Sequence, residues 1–219
     1  MIPLQRLLNP GQNPVLDSVH IPLANLEERI FELPPKFEEV LVADVEALSI
    51  PCKELLESKG RIVRIAFDWL PGIPTPGRLW KPNSFVEEYA TSNKPGKCLD
   101  LGCGSGRDSV FLAGCGWSVT ALDHLPDALL RGRSLALQHG VEVDWIERSL
   151  RQGLADLGRF DLILLMFAPF AAILSDIHNH LSPAGIAVIE TFETNLPTSA
   201  EWQPHQRGDK RTSRLLLRF

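Results

Sequence analysis

One carboxylate and three alternating glycines lie where an apolar segment gives way to a helical one. The run is Asp100-Leu101-Gly102-Cys103-Gly104-Ser105-Gly106. A buried-strand pattern precedes it at 97–101, and a helical pattern follows at 107–113. Glycines at such a turn let the backbone bend sharply and approach a ligand without Cβ clashes. Since a turn of this kind faces the crevice at the carboxyl end of a parallel strand, we expect a ligand site there.

The spacing of the glycines selects among nucleotide ligands. A dinucleotide fingerprint, G-x-G-x-x-G, requires glycine at position 107, which is Arg107 here. An acid two residues before the first glycine repels a phosphate and suits a ligand that carries an ammonium and a sulfonium group. S-adenosylmethionine carries both. A nicotinamide or flavin site and a purely structural turn are the alternatives.

A second acid follows at a suggestive interval. The next strand pattern, residues 117–122, ends in Asp123, about 20 residues after the first glycine, where an acid meets ribose hydroxyls in folds of this kind. Two carboxylate oxygens can accept from both hydroxyls at once. The two acids and the glycine turn therefore predict a nucleoside site.

These residues resemble the class I S-adenosylmethionine-dependent methyltransferase family. Its first motif is matched by the acid and the three glycines of the turn, and its second acid by Asp123. Small-molecule methyltransferases of the tellurite-resistance type are similar in Gly106-Arg107-Asp108-Ser109 and in Phe160-Asp161-Leu162-Ile163-Leu164. The resemblance implies an α/β, doubly wound, Rossmann-like sheet, S-adenosylmethionine as cofactor, and a small molecule or a protein as methyl acceptor.

The resemblance also implies a set of cofactor contacts. The segment after the third strand corresponds to Arg148-Ser149-Leu150, where Ser149 takes the place of an adenine-binding acid or amide. Leu150 and Leu125 are candidates to cover the two faces of the purine, or to belong to the core. Cys103 is interpreted as a structural residue of the turn, since no histidine lies near it in the sequence. The expected cofactor-binding residues are Asp100, Gly102, Cys103, Gly104, Ser105, Gly106, Asp123, Leu125, Ser149 and Leu150.

The segment after the fourth strand bears on the methyl acceptor. Methylases of nucleic-acid amino groups resemble one another in an (Asp or Asn)-Pro-Pro-aromatic motif, whereas this chain has Met166-Phe167-Ala168-Pro169-Phe170. The polar first residue is absent, so an exocyclic amine is disfavoured as acceptor. Phe167 and Phe170 are candidates for an apolar acceptor pocket or for the core. Methyl transfer is an in-line displacement that needs alignment more than acid or base chemistry, and no general base can be named.

Composition limits the class of protein. The 219 residues are 44% hydrophobic and carry a formal charge of −5, so a broad basic surface for nucleic acid is not expected. No apolar run approaches the ~20 residues needed to span a bilayer, and the N-terminus lacks a signal pattern, which predicts a cytoplasmic location without membrane attachment. The four cysteines form no C-x-x-C pair and the six histidines are scattered; reduced thiols and no metal site are expected.

Proline and glycine divide the chain. Residues 71–83 are predicted to be a linker between a first unit, 1–70, and a methyltransferase core, 84–193, with a polar and basic tail at 194–219. In the core we expect a helix capped by Ser84, helices at 127–139 and 170–181, and strands at 141–146, 160–166 and 186–191. In the first unit we expect a helix capped by Asn25, a strand at 40–43, a helix that ends at Gly60, and a strand at 61–67.

The first unit resembles a rhodanese-like domain over roughly seventy residues. The similarity lies in His20-Ile21-Pro22, in the Leu-Glu-Glu-Arg segment followed by Glu32-Leu33-Pro34, and in Glu54-Leu55-Leu56 before a glycine. The family carries a persulfide-forming cysteine directly after its central strand. Ala43 or Asp44 stands there, so the resemblance implies a scaffold without sulfur transfer.

The carboxyl terminus departs from the methyltransferase pattern. Family members add a helix and two strands after the fifth strand, whereas this chain ends in Arg214-Leu215-Leu216-Leu217-Arg218-Phe219. We therefore expect a C-terminally truncated sheet with residues 186–189 as an uncovered apolar edge, open to self-association. The leading hypothesis is a methyltransferase of reduced activity; the alternatives are a non-catalytic interaction module and, third, a sulfurtransferase.

Overall fold

The chain folds into two units in the computed structural model, Met1–Pro82 and Asn83–Phe219. The structure describes residues 3–74, 76–168, 173–192, 203–207 and 210–218. Among these residues, no helix is long and apolar enough to cross a membrane.

The first unit is built on a parallel sheet of four strands in the order β2-β1-β3-β4. Among its described residues, the strands and the α-helix are β1 (Leu7–Asn9), β2 (Ser18–His20), β3 (Glu39–Ala43), α1 (Ser49–Ser58) and β4 (Ile62–Ala66). Leu8, Val42 and Leu56 are among the fully buried side chains of its core. The predictions of β3, α1 and β4 are confirmed, because each has an apolar pattern that matches its period.

The helix expected after Asn25 is not an α-helix. The segment forms two 3-10 turns, Leu23–Asn25 and Ile30–Glu32, and no side chain caps either of them. Leu26 and Leu33 are still buried. The pattern therefore identified the buried positions but not the helix type.

The second unit alternates strands and helices. Its elements are α2 (Ser84–Ser92), β5 (Lys97–Leu101), α3 (Arg107–Gly114), β6 (Ser118–Asp123), α4 (Pro126–Gln138), β7 (Asp144–Glu147), β8 (Phe160–Met166), α5 (Leu174–Asn179), β9 (Leu181–Phe192), β10 (Gln203–Arg207) and β11 (Lys210–Arg218). A short 3-10 turn, Leu150–Gln152, follows β7.

These strands form one seven-stranded sheet in the order β10-β11-β9-β8-β5-β6-β7. Strands β5 to β9 pair in parallel, and β11 runs antiparallel to both β9 and β10. One face buries Leu101, Leu165 and Ile189 against Ile173 and Ile177 beside α5. The strand order proceeds in one direction from β5 to β7 and in the other from β8 to β9. The crevice at the carboxyl ends of β5 and β8 is therefore a topological switch point, where such sheets bind ligands.

The expected uncovered edge of the sheet at residues 186–189 is wrong. Two strands follow β9, and residues 186–192 pair with β11 from Arg218 back to Thr212. The apolar edge predicted to be uncovered is therefore an interior strand, and self-association through that edge loses its basis. The error arose because the polar residues of β10 and the charged start of β11 resemble a solvated tail, and only their pairing makes them strands.

Three smaller differences concern element ends. Asn83, not Ser84, caps α2, since its side chain accepts from the Phe85 amide. Strand β7 begins at Asp144, three residues later than predicted. The predicted helix at 170–181 corresponds to α5 and to residues 170–172, which lie outside the described residues.

Candidate functional site

Asp123 lies at the carboxyl end of β6 and is held by two backbone amides. Its Oδ2 accepts from the Gly104 amide at 2.8 Å, and its Oδ1 accepts from the Leu125 amide at 2.9 Å. The side chain is nearly buried, and it borders a cavity. Two carboxylate oxygens offer about four acceptor positions, so Asp123 retains capacity for further donors.

The three glycines of the turn differ in what a side chain at each position would contact. All have positive φ angles, 70° at Gly102, 55° at Gly104 and 69° at Gly106. A Cβ at Gly102 would lie 2.6 Å from the Cβ of Ala168, and one at Gly106 would meet the Trp145 ring. A Cβ at Gly104 would meet nothing within 4 Å. Only Gly104 therefore leaves open space that a ligand can use.

Asp100 lies below the turn rather than in the cavity. It is 3% exposed, and it accepts from the Ser109 hydroxyl at 2.5 Å. Burial, together with the charges of Asp108 and Asp123, raises the pKa of Asp100 to about 7, although the Ser109 hydrogen bond acts to lower it. Near neutral pH its carboxyl is therefore only partly ionised, which weakens the sequence argument that this acid selects a cationic ligand.

The cavity has a volume of about 670 Å³ and opens at the carboxyl ends of β5, β6 and β8. Of the residues expected from the sequence, Gly102, Asp123, Leu125, Ser149 and Leu150 line it. Five others do not belong to the described lining: Asp100, Cys103, Gly104, Ser105 and Gly106. The structure thus brings Asp123, the first glycine of the turn and the three residues expected beside a purine to one cavity.

Several lining residues were missed by the sequence interpretation. They are Leu122, His124, Arg148, Arg151 and Ala168, and Phe167, named only for the acceptor side, also lines the cavity. Most of them could have been identified from the sequence as neighbours of Asp123 and Ser149, because loops at the same edge of a sheet share a cavity.

The loop after β7 is held by hydrogen bonds among its own residues. Ser149 caps the 3-10 turn by accepting from the Arg151 amide, and the Ser149 amide donates to Gln152 Oε1 at 2.9 Å. Arg148 donates to both carboxylate oxygens of Asp156, at 2.5 Å and 2.7 Å. The hydrogen bond from Arg148 lowers the pKa of Asp156. The loop is thereby fixed at the cavity rim.

The segment after β8 forms the opposite wall. Phe167 has a φ of 59°, a rare conformation for a bulky residue. Its amide donates to the backbone oxygen of Glu190 at 2.7 Å, and the next residue, Ala168, lies against Gly102. The turn therefore lies directly beside the glycine loop. Phe170, the other predicted acceptor-side residue, lies outside the described residues.

Cys103 is not a nucleophile of this site. Burial raises the pKa of its thiol strongly, and the charges of Asp100 and Asp123 add to that effect. A thiol in this environment stays protonated and unreactive at neutral pH. The structure thus agrees with a structural role in the turn.

Residues 98–185 match the family model described as a methyltransferase domain. With the sheet order, the glycine turn and the second acid, this match makes the second unit similar to a methyltransferase domain.

Curated relatives match the same part of the chain. A ubiquinone biosynthesis O-methyltransferase of Azotobacter vinelandii is 33% identical over 105 residues, 45% of this chain and 45% of the relative. A release factor glutamine methyltransferase of Deinococcus radiodurans is 35% identical over 104 residues, 47% of this chain and 36% of the relative. The chain thus covers less than half the length of these relatives.

Solved structures share the fold. TehB from Haemophilus influenzae superposes with a TM-score of 0.53 at 19% identity, covering 63% of this chain and 62% of TehB. The Thermus thermophilus hypothetical protein TTHA0928 superposes with a TM-score of 0.52 at 16% identity, covering 64% and 87%. The doubly wound sheet is therefore shared with proteins that have diverged far in sequence.

Proposed function

We propose that the second unit transfers a methyl group from S-adenosylmethionine to a small-molecule or protein acceptor. The observation that carries the proposal is Asp123, a nearly buried carboxylate held by the Gly104 and Leu125 amides at the edge of the cavity. Its remaining acceptor positions suit the two hydroxyls of a ribose. Gly104 leaves room for the ligand to approach the backbone.

The other lining residues suit the rest of the cofactor. Leu125 and Leu150 line the same cavity and would cover the faces of a purine. S-adenosylmethionine supplies an electrophilic methyl group, so the protein has to align donor and acceptor and to exclude water. Phe167 and Ala168 offer an apolar wall for the acceptor. Because the segment Met166-Phe167-Ala168 has no polar side chain that could accept from an amine, an amine acceptor is disfavoured.

Calorimetry with S-adenosylhomocysteine tests the proposal. We expect saturable binding and a raised melting temperature, since a ligand that binds the folded state stabilises it. A folded sample that shows neither heat nor a melting shift at saturating ligand contradicts the proposal. Release of S-adenosylhomocysteine with any acceptor would eliminate the alternative of a non-catalytic interaction module.

A matched glycine pair sharpens the test. Gly104→Ala places a methyl group in the open space above the turn, whereas Gly140→Ala places one after α4, away from the cavity. Both glycines have left-handed φ angles, 55° and 61°, and neither Cβ would meet an atom within 4 Å. The backbone cost should be similar, but only Gly104→Ala should weaken S-adenosylhomocysteine binding, by about tenfold. Equal affinities of the two variants would count against contact at the turn.

We propose that the first unit is a rhodanese-like scaffold without sulfurtransferase activity. The support is the loop after β3, where Asp44 follows the strand in place of a cysteine and Glu46 accepts from the Gln12 and Asn13 amides at 2.9 Å and 2.7 Å. Cys52 is buried in α1, and burial raises the pKa of its thiol to about 12. Cyanide-dependent turnover of thiosulfate should be absent; its detection would refute this role.

A further inference from the structure

A large aromatic side chain, Trp145 of β7, packs against the end of the glycine turn. A Cβ at Gly106 would lie 2.3 Å from Trp145 Cη2 and 2.7 Å from Cζ3. A Cβ at Gly132 of α4 would lie 2.5 Å and 2.6 Å from the same two atoms. Trp145 is not among the described residues that line the cavity beside Asp123. The outer edge of the indole therefore fills the space between the turn and α4 without belonging to the cavity lining.

The turn is held at two places. Gly106 has a φ of 69°, and its amide donates to the Cys103 oxygen at 2.9 Å. The Gly106 oxygen accepts from the Val110 amide at 2.8 Å, so this residue joins the turn to α3. Nearer the cavity, the Gly104 amide donates to Asp123 at 2.8 Å. Glycine restricts backbone rotation less than any other residue, so the shape of the turn depends on these hydrogen bonds and on contact with the indole.

The position of the turn matters to a ligand because Gly104 is the glycine that leaves open space. We infer that Trp145 is a positioning residue, which keeps the turn in the geometry that admits S-adenosylmethionine although the indole does not touch it. This inference rests on the proposed function. Displacing a binding group by about 1 Å can cost up to about a hundredfold, so a change behind the turn should reach the ligand.

Trp145→Phe tests the inference, with Trp117→Phe as the matched control. Phenylalanine is too short to fill the space that Cη2 and Cζ3 of Trp145 occupy between the two glycines. Trp117 is 4% exposed, packs against Tyr89 and precedes β6, at the sheet edge opposite to the cavity. By calorimetry at a temperature where urea unfolding shows both variants folded, Trp145→Phe should bind S-adenosylhomocysteine about tenfold more weakly than wild type. Trp117→Phe should stay within about threefold of wild type.

Gly132→Ala approaches the same contact from the other side. The added methyl group displaces the indole, so this variant should also weaken S-adenosylhomocysteine binding by about tenfold. In the double variant, the alanine methyl occupies space that the shorter phenylalanine leaves, and affinity should return to within about threefold of wild type. Packing that serves only the stability of the fold would not produce this recovery of affinity in folded protein.

The outcomes separate this inference from the proposed function. If the folded wild-type chain binds no S-adenosylhomocysteine, the proposed function fails and the role of Trp145 fails with it. If wild type binds and both single variants bind as tightly as Trp117→Phe, the inference fails alone. A double variant that binds no more tightly than the single variants also overturns it. Should Trp145→Phe not fold, the affinity of Gly132→Ala against that of Trp117→Phe decides the question.

Discussion

The sequence interpretation gives Asp100 the main role in ligand selection, but the structure places Asp123, not Asp100, at the cavity. Asp100 is buried under the turn and bound to Ser109, whereas Asp123 borders the cavity and fixes the turn through the Gly104 amide. A carboxyl with a pKa near 7 in a buried site costs folding free energy when it ionises. Its presence is thus a stability cost at the centre of the site.

The cost of Asp100 makes stability depend on pH. The unfolded carboxyl titrates near 3.8 and the folded one near 7. Between these values the unfolded state ionises while the folded state keeps its proton, so stability falls by about 1.4 kcal/mol per pH unit as pH rises. Above pH 7 the loss is complete, at up to about 4 kcal/mol.

Asp100→Asn should remove this dependence. The amide keeps an oxygen that can accept from Ser109 but never ionises. In urea unfolding, the variant should gain stability over wild type progressively from pH 4 to 7, and the gain should then level off. Asp144→Asn, an exposed acid on β7, is the control and should show no such trend. Parallel pH profiles of Asp100→Asn and wild type would contradict the role of burial.

At the scale of elements, the Trp145 ring packs against one glycine at the start of α3 and another within α4. Trp145 of β7 lies against Gly106, which begins α3, and against Gly132 within α4. A Cβ at Gly132 would lie 2.5 Å from the ring. The third glycine of the motif therefore serves packing between elements as much as the shape of the turn.

Gly132→Ala should destabilise the protein although alanine is the better helix former. Helix propensity alone would stabilise by about 1 kcal/mol, but displacing Trp145 should cost about 1–3 kcal/mol beyond that gain. Urea unfolding monitored by tryptophan fluorescence measures the net change. In a Trp145→Leu background the same substitution should become neutral or stabilising, and a persistent loss there would contradict the proposed clash.

Asn83 connects three elements of the second unit. Its Oδ1 caps α2, and its backbone N–H donates to Asp108 at the start of α3. Its side-chain Nδ2 donates to the buried Glu190 of β9 at 2.8 Å. Through the backbone oxygen of Glu190, this network reaches Phe167 at the cavity wall. The start of α2 is thus tied to the carboxyl edge of the sheet.

Asn83→Ala should cost about 2–3 kcal/mol, because it removes both a helix cap and a donor to a buried carboxylate. Asn93→Ala is the matched control at the other end of α2, where the amide donates to an exposed backbone oxygen. That control should cost about 0.5 kcal/mol. Chemical denaturation of both variants gives the comparison, and equal losses would show that the bond to Glu190 contributes nothing.

For the whole molecule, the last two strands decide whether the sheet has an apolar edge. Strand β11 covers β9 over seven register pairs, from Phe192 to Ile186. Leu215 of β11 packs against the core beside α5. The second unit therefore depends on residues that are far from the cavity in the sequence.

Deleting residues 203–219 should cause self-association. The deletion exposes the backbone edge and the apolar face of β9, which template pairing with other chains. Size-exclusion chromatography should show a monomer for the full chain and oligomers or precipitate for the shortened one. A shortened chain that stays monomeric and melts cooperatively at the same temperature would contradict this account.

The sequence by itself determined the order of elements from β5 to β8, the position of the glycine turn and the second acid. These features follow from local rules: apolar runs of strand length, helical periodicity and backbone positions that only glycine tolerates. The cavity residues Asp123, Leu125, Ser149 and Leu150 were accessible for the same reason, since each follows the end of a predicted strand.

The tertiary structure alone decided which acid meets the cavity, why Gly106 is glycine, and that polar residues after position 202 form two further strands of the sheet. Each depends on a partner distant in the sequence: Ser109 and the surrounding burial for Asp100, Trp145 for Gly106, and β9 for β11. Burial and strand pairing are set by the whole fold, so a local pattern cannot supply them.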